Sequence, residues 1–391
     1  MILRSFTSLK NSFSNERSLS ELGLWLLIPL ASLTSHTWLP IPPTMVLLLG
    51  AIVCWFVQQF NSSTIQQSDT SSNHRQVIAV YCVFIFYIFV SQYLLNAVFR
   101  HYMGAIFAPL YLILILIFSE RTSTNVVKKL GQKFIRYSLI ILTIEAILRY
   151  SVNLYYITLN PDFFYGFYSF KFNGPMYLTS NAVACHLVTL LFFMFWWRQT
   201  YKESLNKEIA IAFILIALTF SRAAIPAIGA GLVYYGLFRD LNWKKSVLAL
   251  FSIGIIGIIS LFVLRYFISD DSFQSKFIII EEAFEYYKTA DLKSILFGIG
   301  FYETEKIMTY YAHNYFLLYL METGVIGLFL LCATLFTLVL TTNGLAMIIL
   351  IPFIIQSAAE SQTFLPYFYV TMAFIIVIEH RRLQLSIPLQ K

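Results

Sequence analysis

Apolar runs about as long as a bilayer is thick recur along this whole chain, and they leave few other folds open. A bilayer core offers no water to backbone N–H and C=O groups, so runs of ~20 such residues read as helices that pair their backbone internally. Runs of this kind start near Leu22, Thr44, Val77, Met103, Phe134, Ser180, Ile209, Arg222, Ser246, Asn314, Asn343 and Pro366. The expected fold is all-α, a polytopic membrane protein with about 12 transmembrane helices, in one integral membrane domain over residues 1–391. The seventh and eighth runs, 209–220 and 222–238, are short and nearly continuous, and read as two helices joined by a tight turn at Ser221. Composition agrees: 58% of residues are hydrophobic and 12% charged, against about half and a quarter in a soluble globule.

The net charge of +7 invites a nucleic-acid partner, and its placement argues against one. Residues 1–17, 60–76, 120–136, 198–208, 239–245 and the C-terminal segment hold 18 of the 27 basic residues. In the expected topology all six segments fall on one side. Lys and Arg mark short cytoplasmic loops, so both termini are expected in the cytoplasm and the charge reflects topology. No small-residue cleavage site follows Arg4, Lys10 and Arg17, so the first run is expected to remain as a start-transfer helix. Two larger periplasmic loops then lie outside, 159–179 and 265–312. The first is rich in aromatic and turn residues. The second carries Phe284, Tyr287, Leu292, Ile295 and Leu296 in a pattern that suits an amphipathic helix. Cys54, Cys82, Cys185 and Cys332 sit in apolar runs without metal-ligand spacing, and read as packing residues.

Ionisable side chains inside membrane segments are costly enough that each is a functional candidate. In this topology Arg149 ends the fifth helix, Arg222 opens the eighth, Arg265 closes the ninth, His313 opens the tenth and Glu360 ends the eleventh. All five gather at the outer rim. An unbroken helix makes about three turns from His313 to Gly324, which puts both on one face, with Gly327 about 40° aside. Small residues at that spacing seat a neighbouring helix, so this face is expected to be buried against one. Glu322 lies on the opposite face and reads as a packing or helix-polar contact. Arg149 follows Glu145 by four residues, which suits an intrahelical ion pair as well as a phosphate contact. His186 reads as a satisfied interior histidine.

His313 and Asn314, then nine residues, Gly324, two residues and Gly327 spell HN-x9-G-x-x-G. This resembles the signature of the O-antigen ligase and O-antigen polymerase superfamily, membrane enzymes that move lipid-linked glycans on the outer face of the bacterial inner membrane. Ser221-Arg222 is similar to the family's (S/T)R at the outer start of a helix, and Glu360 stands where relatives carry a late acidic residue. Phe297 to Phe301, FGIGF, resembles the family's PxxGxG segment, and Asn173-Gly174-Pro175 with Asn181 resembles its glycine- and asparagine-containing stretch ahead of a helix. The likeness runs from Phe172 to about Ile378. Relatives carry an arginine in the large outer loop, where this chain offers Lys276 and Arg265. Lysine binds phosphate as a point charge, without the guanidinium fork.

The resemblance implies a glycosyltransferase on the periplasmic face of the inner membrane. It implies an undecaprenyl-diphosphate-linked glycan as donor and a glycan or lipid A-core as acceptor. The outer side carries no acidic or histidine cluster except the lone pair Asp270-Asp271, so no metal is expected, and no cofactor. Guanidinium groups bind phosphate oxygens through bidentate, charge-assisted bonds, so Arg222, with Arg265, Lys276 and Arg149, is expected at the diphosphate. A histidine oriented by a carboxylate can accept the acceptor's proton, which gives His313 and Glu360 catalytic roles beside Arg222. Asn314, Gly324 and Gly327 complete the motif as structural residues. Membrane lipids and polysaccharide-assembly proteins are the further partners. Repeat-unit polymerase is the favoured activity, on the serine before Arg222 and the aromatic outer loops, with ligase as the alternative. A flippase or transporter is the third reading, against which stand the absence of a clear repeat and the rim position of the charges.

Overall fold

A computed structural model describes residues 16–33, 41–61, 72–161, 166–172, 174–177, 179–239, 271–309, 314–358 and 365–386. Thirteen α-helices are described: α1 Glu16–Leu27, α2 Pro43–Asn61, α3 Ser72–Leu94, α4 Phe99–Glu120, α5 Thr124–Leu159, α6 Ser180–Tyr201, α7 Asn206–Ala217, α8 Ala224–Arg239, α9 Asp271–Thr289, α10 Leu292–Phe297, α11 Tyr315–Thr341, α12 Met347–Ser357 and α13 Pro366–Ser386. Short 3-10 turns at Gly166–Lys171 and Glu303–Lys306 complete the set. No strand occurs among the described residues, only an isolated bridge between Phe172 and Thr179. The protein is all-helical.

Every expected apolar run carries a described helix except the one near Ser246, which lies outside the described residues. Six of the helices, α2 to α6 and α11, are long and apolar enough to cross a membrane. Helices α1, α7 and α12, with 12, 12 and 11 residues, are shorter than the ~20 a crossing takes. In the other direction, α5 absorbs most of the expected basic loop 120–136, because nothing from Thr124 onward breaks a helix. The chain is a multi-pass membrane protein built from long and short helices together.

Helix α6 is apolar nearly all round, NAVACHLVTLLFFMFWW, and a helix of that kind must be surrounded. It stands at the centre, where α5, α7, α8, α12 and α13 pack on it. Residues 366–379 of α13 are buried as completely. Helices α2, α3 and α5 instead turn Val53, Phe86 and Ile147 outward, 59%, 69% and 60% exposed, as a lipid-facing surface requires. Cys54 and Cys185 are buried as packing residues, whereas Cys82 and Cys332 lie on this outward surface. Threonines 143, 189, 334 and 337 donate to carbonyls three or four residues back, which satisfies hydroxyls that have no water to meet.

The interior histidine is satisfied. His186 Nε2 lies 3.1 Å from Ser32 Oγ, its Nδ1 lies 3.3 Å from Tyr177 Oη, and its ring stacks on Tyr367 at 3.8 Å. Ser32 also meets Ser138. One buried network thus ties the loop before α6 to α6 itself, the segment after α1, α5 and α13.

Candidate functional site

The segment between α7 and α8 is the first part of the site. Thr219 and Ser221 divert local hydrogen bonds from the helix: Thr219 Oγ1 donates to Ile216 O and accepts from Ser221 N. Phe220 takes a positive φ of 51°, and α8 restarts with Pro226 in its first turn, where a missing N–H costs nothing. The run therefore breaks at Ser221, as expected, into two helices. Side chains from three neighbouring helices hold the break. Tyr150 Oη of α5 donates to Leu218 O at 2.8 Å, Ser180 Oγ of α6 to Thr219 O at 2.6 Å, and Gln356 Nε2 of α12 to Ser221 Oγ at 3.1 Å. Arg222 follows with an exposed side chain.

The second part is the start of α11. Asn314 caps it, its Oδ1 accepting from Phe316 N and Leu317 N at 3.1 and 3.2 Å. The unbroken helix expected over this stretch is not what the described residues form: α11 starts only at Tyr315, after the Asn314 cap, and is broken at Gly324. Gly324 has φ 71° and ψ −176°, so α11 is two helices meeting at a kink. At such a φ the residue belongs to a region essentially reserved for glycine.

The last turn of the short helix α10 and the loop that follows it occupy the space Gly324 provides. The FGIGF segment docks there by its backbone: Ile299 N donates to Met321 O at 3.0 Å and Gly300 N to Glu322 O at 3.1 Å. A Cβ on Gly324 would overlap the Leu296 carbonyl, and one on Gly298 (φ 79°) would overlap the Glu322 carbonyl. Gly327 does face a neighbouring helix, with Tyr87 of α3 3.1 Å from where its Cβ would stand. Tyr87 Oη and Gln92 Nε2, both on α3, donate to Thr323 O and Glu322 O at 2.6 and 3.2 Å, and Gln92 Oε1 accepts from Phe301 N at 2.9 Å. Glu322 is buried and its Oε1 accepts from Tyr302 N at 2.8 Å, the helix-polar contact expected of it. Burial, and secondarily Glu322, pushes the Tyr302 phenol up from its ordinary range.

Helix α9 runs beside this start. Ile279 and Ala283 pack with Leu318, Met321 and Met308, and Tyr287 donates to Leu320 O at 2.9 Å. Burial pushes the Tyr287 phenol up to about 12. Lys276 lies on α9, and its side chain is outside the described residues, as are His313, Glu360 and Arg265.

Arg149 sits one helical turn from Glu145, with Nε 3.6 Å from Glu145 Oε1, and both side chains are at most 1% exposed. The intrahelical pair is therefore present. No hydrogen-bond partner for the guanidinium nitrogens is found among the described residues. The loop ahead of α6 covers the pair: a Cβ on Gly174 would lie 2.8 Å from Glu145 Oε1, and Asn153 Nδ2 donates to Phe172 O at 2.7 Å. Tyr150, the next residue, holds the Arg222 turn, so Arg149 and Arg222 belong to one end of the bundle.

Five residues that organise the site, Tyr87, Gln92, Tyr150, Ser180 and Gln356, were not among the sequence candidates. The two glutamines were detectable, since a side-chain amide within an apolar run needs a partner. Nothing in the sequence says which partner that is.

Fold and site together define a multi-pass helical membrane protein with two interrupted helices, a cation at one interruption and a glycine-backed loop at the other. Residues 209–332 match the family model described as O-antigen ligase, and that match supports the resemblance to the O-antigen ligase and O-antigen polymerase superfamily. The matched stretch contains both interruptions, from the start of α7 to Cys332 in α11. No curated protein and no solved structure matches the chain.

Proposed function

We propose that this protein is a glycosyltransferase of the bacterial inner membrane that works on its periplasmic face. It transfers a glycan from undecaprenyl diphosphate to a sugar hydroxyl, and repeat-unit polymerase is the preferred activity. The observation that carries this reading is the coincidence of the O-antigen ligase match with the braced turn that presents Arg222. In the reaction the acceptor oxygen bonds to the anomeric carbon as the bond from that carbon to the diphosphate breaks. The acceptor's proton passes to His313, oriented by Glu360. The electron pair leaves with the diphosphate, whose growing charge Arg222 offsets, assisted by Arg265 and Lys276, while Arg149 stays buried in its pair with Glu145.

Arginine does here what a divalent cation does elsewhere, so transfer by purified protein should survive EDTA. A requirement for a divalent ion would overturn that part and direct attention to Asp271, the first residue of α9, and Asp270, which lies outside the described residues. Ligase and polymerase share the donor and differ in the acceptor. Lipopolysaccharide from a deletion strain, separated on a gel, tells them apart. A single repeat on the core identifies a polymerase, bare core with accumulated lipid-linked polymer identifies a ligase, and an unchanged glycan profile overturns the reading.

A further inference from the structure

We infer that Gln356 is a positioning residue that fixes the Arg222 turn to the end of α12, an inference that rests on the reading of Arg222 as the diphosphate-binding cation. Gln356 is 0% exposed in the helix MIILIPFIIQS. Burying an amide among apolar side chains is unfavourable unless its groups are hydrogen-bonded. Its Nε2 donates to Ser221 Oγ at 3.1 Å and reaches Asn181 O at 3.5 Å, while Oε1 has no partner among the described residues. The amide is thus spent on the residue immediately before Arg222 and on the first turn of α6.

The consequence is mechanical. Tyr150 and Ser180 hold carbonyls at the α7 end of the turn, at Leu218 and Thr219. Gln356 holds the side chain of Ser221, next to the Cα from which Arg222 departs. It does so from the last turn of α12, four residues ahead of Glu360 in sequence. Arg222 and the segment leading to Glu360 are thereby coupled through one hydrogen bond. A displacement of about 1 Å in a group that must meet developing charge can cost on the order of 100-fold in rate.

Gln356→Met keeps the volume and removes the amide, which avoids the cavity that Gln356→Ala would open. In full-length purified protein with a lipid-linked glycan donor, Gln356→Met should lower kcat about 10- to 100-fold and change KM by less than about twofold. Added to Arg222→Ala, it should change nothing further, because it acts through Arg222. A loss of the same size in both backgrounds, or wild-type turnover in Gln356→Met alone, would overturn the inference. A readout without activity is the modification rate of Arg222→Cys by a membrane-impermeant maleimide, with the chain lacking that cysteine as control. Adding Gln356→Met should change that rate severalfold, and an unchanged rate also overturns the inference. If Arg222→Ala alone turns over normally, the diphosphate reading fails, whereas the maleimide experiment still decides whether Gln356 holds the turn.

Discussion

The interruptions at 218–223 and at 321–324 are both tethered by side chains from neighbouring helices, and only the second adds a seam of backbone to backbone. At the first, neighbouring helices reach in with side chains: a phenol, a serine hydroxyl and an amide. At the second, Tyr87 and Gln92 of α3 reach Thr323 O and Glu322 O, and a loop also lays its own backbone against the break, where Ile299 and Gly300 take up the carbonyls of Met321 and Glu322. Side-chain tethers hold a turn from a distance, so the residues they hold keep ordinary side chains and one of them can be an arginine turned outward. A backbone seam tolerates nothing between the two strands of chain, and so calls for glycine on both sides. The first arrangement can carry a reactive group. The second can only fix where a neighbouring group stands.

The largest expected effect tests the seam. Gly324→Ala should destabilise the protein by on the order of 3 kcal/mol or more, since it combines a glycine-only backbone with overlap onto the Leu296 carbonyl. Thermal unfolding in detergent measures this, and an unchanged midpoint would break the distinction drawn above. Arg222→Ala tests the tethered turn, with transfer expected to fall ~100- to 1,000-fold while the midpoint stays put. Arg222→Lys should restore only part of the rate, because the fork is missing.

Tyr150→Phe removes one tether and leaves Leu218 O short of a donor, which should cost about 1 kcal/mol by the same unfolding assay. The smallest effect concerns Asp291, which caps α10, the helix that delivers Leu296 to the seam. Hydrogen bonds from Ser294, side chain first and then backbone, hold its carboxyl below the ordinary range. A depressed carboxylate adds stability that is present above its unfolded pKa of about 3.9 and lost as pH falls through the lower folded value. Wild type should therefore melt slightly above Asp291→Ala at neutral pH, and that gap should shrink as the pH falls below about 4. A gap that widened in acid would contradict the capping role.

The turn at Ser221 was legible through charge, since dividing the run there puts the basic segment 239–245 on the same side as the other basic segments. An arginine amid apolar residues also stands out. The kink at Gly324 was not legible. Met321 to Gly327 reads as uninterrupted helix, since one glycine in an apolar helix is tolerated and only the approach of a loop from 23 to 28 positions away makes it a break. The six long apolar helices and the shortness of α7 were plain from run length, but the shortness of α1 and α12 was not, because hydropathy records burial in protein and burial in lipid alike. Arg149 presented an unresolved pair of meanings, and the ion pair with Glu145 is the one the fold displays.

The kink in α11 also bears on how this protein fits the thickness of its membrane. As one straight rod the 27 residues of α11 would reach about 40 Å, some 10 Å beyond a typical hydrocarbon layer. A rod of that length must tilt steeply or thicken the lipid around it. Divided at Gly324, the part from Val325 to Thr341 reaches about 25 Å, close to what a bilayer accepts upright. The remaining turns are released from the membrane normal. Their direction is then set by the loop seam and the α3 tethers and not by the lipid, so the orientation of the Asn314 end is insulated from changes in bilayer thickness.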